Sequence, residues 1–83
     1  MISKIAIVIP CFRARGKIDL FIKKLLKIKN IMISQCEINI YLVNDCCPED
    51  SYREIKNLDH IILLHHENNL GVGAATLTGF KKA

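Results

Sequence analysis

Apolar and polar residues change their period repeatedly along this chain, and each change marks an element. Residues 4–9, Lys4-Ile-Ala-Ile-Val-Ile9, are an almost continuous apolar run stopped by Pro10. Such a run predicts a strand buried on both faces, as parallel strands between helix layers are. Over residues 17–29 the period becomes helical. Ile18, Phe21, Ile22, Leu25 and Ile28 share one face, and Lys23, Lys24, Lys27 and Lys29 lie mostly opposite. Residues 38–43 form a second strand pattern, ended by the polar turn Asn44-Asp45. Residues 51–58 are short and amphipathic, with Ser51 placed to cap them and Glu54 at capping-box spacing. Residues 61–64 are a third strand, after which a loop through Asn68, Asn69 and Gly71 opens a helical segment reaching Ala83.

This alternation predicts an α/β fold, a Rossmann-like βαβαβα parallel sheet with right-handed crossovers and helices on its faces. One domain spans residues 1–83, with no internal repeat, low-complexity segment or linker. At 83 residues the chain buries only about 60–65% of its unfolded surface, so its stability margin is thin. A hydrophobic fraction of 51% argues against disorder.

The formal charge of +4 owes much to the four clustered lysines. Without interleaved aromatics that cluster reads as a solvated helix face and not as a nucleic-acid surface. An acidic ligand such as a nucleotide diphosphate fits the sign. The four cysteines raise the question of a disulfide scaffold. The start of the chain lacks the form of a secretory signal, and no apolar run reaches the roughly 18–20 residues that cross a bilayer. Reduced thiols in a cytoplasmic setting are therefore expected.

Open parallel sheets bind ligands beyond the carboxyl ends of their strands. Here those ends deliver Pro10, Cys11, Phe12 and Arg13, then Asn44, Asp45, Cys46 and Cys47, then His65 to Asn69. A carboxylate at Asp45 has the geometry to accept the imide N–H of a uracil or the amino group of a guanine; equally, a strand-end Asp bonds its own backbone turn. Phe12 offers a ring for stacking on a base, or a core side chain beneath the following helix. Gly71 and Gly73 stand at a loop-to-helix junction where backbone N–H groups approach an anion, though Thr76 occupies the third glycine position of a dinucleotide fingerprint. Cys11, Cys46, Cys47, His65 and His66 have zinc-ligand chemistry but no metal-site spacing.

Three segments in order carry a resemblance. Ile7-Val-Ile-Pro-Cys-Phe12, Leu42-Val-Asn-Asp-Cys-Cys-Pro48 and Asn69-Leu-Gly-Val-Gly-Ala-Ala-Thr-Leu-Thr-Gly79 resemble the opening strand, the Asp-Asp-Gly-Ser turn and the glycine segment of glycosyltransferase family 2. The details are similar to the branch that includes polyprenyl-phosphate glycosyltransferases. The resemblance implies the N-terminal, nucleotide-binding half of a GT-A fold. It places Phe12 against the nucleotide base and Asp45 in hydrogen-bond contact with it. Pro10 and Cys11 line the same pocket, and Gly71 and Gly73 lie beside the donor.

The resemblance is incomplete. Asn44 replaces the first acid of the pair, keeping hydrogen-bonding capacity without the charge. Arg13 and Ala14 stand where Asn-Glu is common. The family's Asp-x-Asp motif, which holds Mg²⁺ or Mn²⁺ on the donor diphosphate, does not occur in the chain. The implied parent is an enzyme that moves a sugar from a UDP- or GDP-type donor to an acceptor such as a polyprenyl phosphate or a glycan, at the cytoplasm or the cytoplasmic face of a membrane. The 83-residue segment, read as cut off before that motif, is expected to bind nucleotide at most and to leave its first strand with an open edge. A non-catalytic nucleotide-binding or protein-interaction module of the same fold is the alternative.

Overall fold

A computed structural model describes residues 3–13, 15–48, 50–56 and 58–83. It contains strand β1 (Ser3–Cys11), helix α1 (Ile18–Ile31), strand β2 (Cys36–Asn44), two 3₁₀ turns (Ser51–Glu54 and Leu58–His60), strand β3 (Ile62–His65) and helix α2 (Val72–Lys82). The strands form one parallel sheet, as the alternation of periods predicts, and their order is β1-β2-β3. Its register sets Cys11 beside Asn44, and Asn44 beside His65. All three carboxyl ends therefore meet at one edge, and that alignment positions the side chains of Asn44, Asp45, His65 and His66.

Side chains alternate across a sheet, and each face here takes one helix. Ile9 and Cys11 from β1 and Ile38, Ile40 and Leu42 from β2 form one buried cluster with Ile18 and Ile22 of α1. The opposite parity, Val8, Tyr41 and Val43, faces α2, which packs on β1 and β2. There Gly79 lies directly against Val8, and any Cβ at that position would overlap the Val8 side chain. The glycine is required by this close approach of helix to strand.

Four local expectations are corrected. First, β1 does not stop at Pro10 but runs through it to Cys11. The Cys11 carbonyl accepts the Asp45 N–H at 3.1 Å and so points toward β2. The neighbouring Pro10 nitrogen then points to the open side, where a missing donor costs nothing. Second, β1 is not buried on both faces: residues 3–6 are exposed, because β1 is an edge strand and neither helix covers its beginning. Third, α1 turns a different meridian inward. Ile18 and Ile22 are buried and Leu25 and Leu26 half-buried, whereas Phe21 and Ile28 are 47% and 46% exposed. Apolar residues cover more than one side of this helix, so its spacing admits either face, and contact with a narrow three-stranded sheet selects one.

The fourth correction concerns residues 51–58, which form two short 3₁₀ turns and not a capped helix. Asp50, in the left-handed region at φ 47°, precedes the first turn and makes no side-chain cap. Ser51 is buried with its hydroxyl 3.2 Å from Cys47 Sγ. Glu54 accepts the Gly16 N–H at 2.7 Å and pairs with Arg15. Both residues of the expected capping box are thus used for tertiary contacts.

The Gly79–Val8 contact yields a stability test. Gly79→Ala improves intrinsic helix propensity yet is expected to destabilise the chain by about 1–3 kcal/mol through overpacking, read as a lower urea midpoint; Gly79→Ala combined with Val8→Ala is expected to recover part of that loss.

Candidate functional site at the carboxyl edge of the sheet

The end of β2 organises this edge through two adjacent side chains. Asn44 is buried and bonds sideways: its Nδ2 lies 3.1 Å from His65 Nδ1, and its Oδ1 accepts the Cys47 N–H at 3.2 Å. An amide both donates and accepts, which suits these two partners together. The His65 ring also meets Tyr52 edge-on, with centroids 5.0 Å apart.

Asp45 bonds forward, into the loop that follows β3. Its Oδ1 lies 2.7 Å from His66 Nδ1 and accepts the Leu70 N–H at 2.8 Å, while its Oδ2 accepts the Gly71 N–H at 2.8 Å. The side chain is only 4% exposed. Burial by itself would raise the Asp45 carboxyl. The hydrogen bonds from His66, Leu70 and Gly71 outweigh that and hold it below the ordinary carboxylate range. His66 continues the chain of bonds, with Nε2 2.7 Å from Thr78 Oγ1 on α2. The Thr78 hydroxyl also lies 3.0 Å from the Ala74 carbonyl. A proton on Nδ1 is donated to Asp45 and leaves Nε2 to accept from the Thr78 hydroxyl, whereas a Thr78 hydroxyl given to Ala74 requires Nε2 to be the donor.

The β1 end adds an exposed platform. Phe12 is 37% exposed, and the Arg13 guanidinium stands 5.4 Å from its ring centroid. Arg13 is left-handed at φ 53°, and its N–H bonds Cys47 Sγ at 3.1 Å. Cys11 is buried; burial, with the neighbouring Cys47 sulfur second, pushes its thiol up to about 11. A neutral, enclosed thiol at pH 7 is neither a nucleophile nor a ready metal ligand. All four cysteines are free, and Cys46 is exposed. Among the described residues no three His, Cys, Asp or Glu side chains converge as a metal site requires. The described residues therefore do not form a divalent-cation site by themselves.

The structure thus brings Pro10, Cys11, Asn44, Asp45 and Gly71 to one edge, with Phe12 exposed upon it. Gly71 has φ 95° and needs to be glycine, whereas Gly73 sits in the first turn of α2 with open space where a Cβ would go. The residues not anticipated at this edge are His66 and Leu70, which bond Asp45, and Thr78, which bonds His66. Only the position of His66 one residue past a strand signalled it, since spacings of 21 and 25 residues carry no periodic signal.

Two tests follow from this geometry. Asp45→Asn keeps the shape but weakens three hydrogen bonds, so amide exchange at Leu70 and Gly71 is expected to quicken by at least about tenfold while the β1–β2 amides stay protected. Because the folded Asp45 carboxyl lies below its ordinary value of about 3.9, it stabilises the fold fully above that value. That contribution is lost as pH falls through the lower folded value, and Asp45→Asn should flatten this acid limb. At Gly73, alanine is expected to be neutral or stabilising by about 0.5–1 kcal/mol, and at Gly71 destabilising by about 1–2 kcal/mol, both read by urea denaturation.

No curated protein and no solved structure matches this chain. A family model does, that of glycosyl transferase family 2, over residues 6–83. The match runs from β1 to the end of α2 and includes all three strand ends, and a three-stranded parallel sheet with a helix on each face agrees with the N-terminal, Rossmann-like half of a GT-A fold. The chain belongs to glycosyltransferase family 2.

Proposed function

We propose that this chain is the donor-nucleotide-binding half of a hexosyltransferase, with the nucleotide diphosphate of a UDP- or GDP-type sugar lying along the carboxyl edge of the sheet. The observation that carries this reading is the convergence, at one edge, of the strand ends that the family match covers. Phe12 supplies an exposed ring for the base, and Arg13 adds positive charge beside it. Pro10 and Cys11 form the floor. Asn44, Asp45, Gly71 and Gly73 complete the set; Asp45 acts chiefly by fixing the Gly71 loop, and its Oδ2, with one recorded partner, retains a lone pair for a base N–H.

The parent reaction in this reading transfers the sugar to a polyprenyl phosphate or a glycan of the cell envelope, at the cytoplasmic face of a membrane. Mg²⁺ or Mn²⁺ would neutralise the departing diphosphate there. The Asp-x-Asp motif that would hold that ion does not occur in this chain, so in this reading the 83 residues alone bind donor without turnover. A non-catalytic module is the second reading, favoured by one observation: the Asp45 carboxylate is already engaged by three protein donors.

An NMR amide titration with UDP and GDP, with and without Mg²⁺, decides between them. Shifts centred on Phe12 and Gly71, saturable and selective for one base, are expected, and Phe12→Ala should weaken binding about tenfold or more by loss of stacking. A dispersed spectrum unmoved by both nucleotides overturns the donor reading and favours the module.

A further inference from the structure

The outward side of α1 combines large aliphatic side chains with lysines. Leu20 is 59% exposed and Ile31 78%, Ile28 and Phe21 are also exposed, and Ile33 follows just beyond the helix. At helical spacing Leu20, Lys24, Lys27, Ile28 and Ile31 fall within an arc of about 100°, opposite the buried Ile18 and Ile22. This is not a solvated polar face.

Its charge has one sign. No Asp or Glu occurs between Leu20 and Gln35. Lys23 pairs with Asp19 at 3.1 Å, but among the described residues Lys24, Lys27 and Lys29 form no ion pair. Beside this face runs a groove of about 530 Å³ whose lining includes Lys23, Lys27, Lys29, Leu26, Ile33 and His60. His60 has Asp59 3.7 Å away as its acidic neighbour. The groove lies along the C-terminal half of α1 and shares no residue with the carboxyl-edge site.

We infer that this face docks on an anionic lipid bilayer. Leu20, Ile28 and Ile31 enter the boundary between headgroups and acyl chains, and Lys24 and Lys27, on the same arc, meet phosphate-bearing headgroups. An amphipathic helix with lysines beside aliphatics has the chemistry of the bilayer interface. A polyanion such as nucleic acid would leave the aliphatic side chains unused, and among the described residues no helix is long and apolar enough to span the membrane instead. The inference deepens the membrane-facing part of the proposed function and is independent of nucleotide binding.

Vesicle flotation of the 83-residue chain tests it, comparing phosphatidylcholine alone with the same lipid carrying about 30% phosphatidylglycerol. The chain is expected to float with the anionic vesicles only and to be released by high salt. Lys24→Gln with Lys27→Gln should lower partitioning about 30-fold, and Leu20→Ser with Ile31→Ser about tenfold or more; circular dichroism checks that both variants keep the native fold. Equal binding to both vesicle types, or natively folded lysine variants that bind as well as the parent, would overturn the inference. So would a concentration-dependent dimer, absent in the Leu20→Ser, Ile31→Ser variant, from a chain that floats with neither vesicle; the face would then belong to a second copy. Nucleotide titration of the same variants separates the two readings, because lost flotation with intact shifts at Phe12 touches only the membrane surface.

Discussion

The buried carboxylate of Asp45 is the interaction on which the carboxyl edge depends. One side chain, fixed by the last residues of a central strand, gathers His66, Leu70 and Gly71 and, through His66, reaches Thr78 on α2. Without it the loop after β3 would hold to the sheet mainly through the His66 N–H bond to the Asn44 carbonyl. A charge in so enclosed a position is tolerated only because three donors replace water around it. Its tie also carries Gly71, at φ 95°, into position to start α2. Loop, helix start and strand end are therefore one unit.

The two neighbouring positions on β2 divide the labour. Asn44 ties its strand to β3 and to the following turn, and Asp45 ties it to the loop and α2. Cys47 adds a third junction, its sulfur lying between the Arg13 amide and the Ser51 hydroxyl. Most of the polar groups proposed to meet the donor thus also have structural partners. Phe12, Arg13 and Cys46 present the exposed surface of the edge. Any ligand there meets a preorganised rim and not a set of free side chains, a condition that lowers the ordering cost of binding.

Small size explains much of the remaining surface. Three strands offer each helix a narrow seat, so α1 buries a thin stripe and leaves Leu20, Phe21, Ile28 and Ile31 outside. The same narrowness leaves β1 at an edge with residues 3–6 exposed. Apolar surface of this extent on a chain of this size is a force toward association, and the lysines Lys24 and Lys27 among those side chains direct it toward an anionic partner.

Apart from residues 51–58, element type and order, the parallel sense of the sheet and the list of residues at the strand ends were determined by the amino-acid sequence alone. Periodicity and βα alternation are local properties that a short window carries, and the three family segments sit on those same strand ends. The tertiary structure decided which meridian of α1 turns inward, that Pro10 stays within an edge strand, and that Ser51 and Glu54 make long-range contacts in place of a cap. It alone showed that Gly79 is required by Val8, and that Asp45 spends its carboxylate on partners 21 to 26 residues away. Those pairings are set by the register of neighbouring strands and the seating of α2. Such quantities have no period, and so no local pattern of residues could announce them.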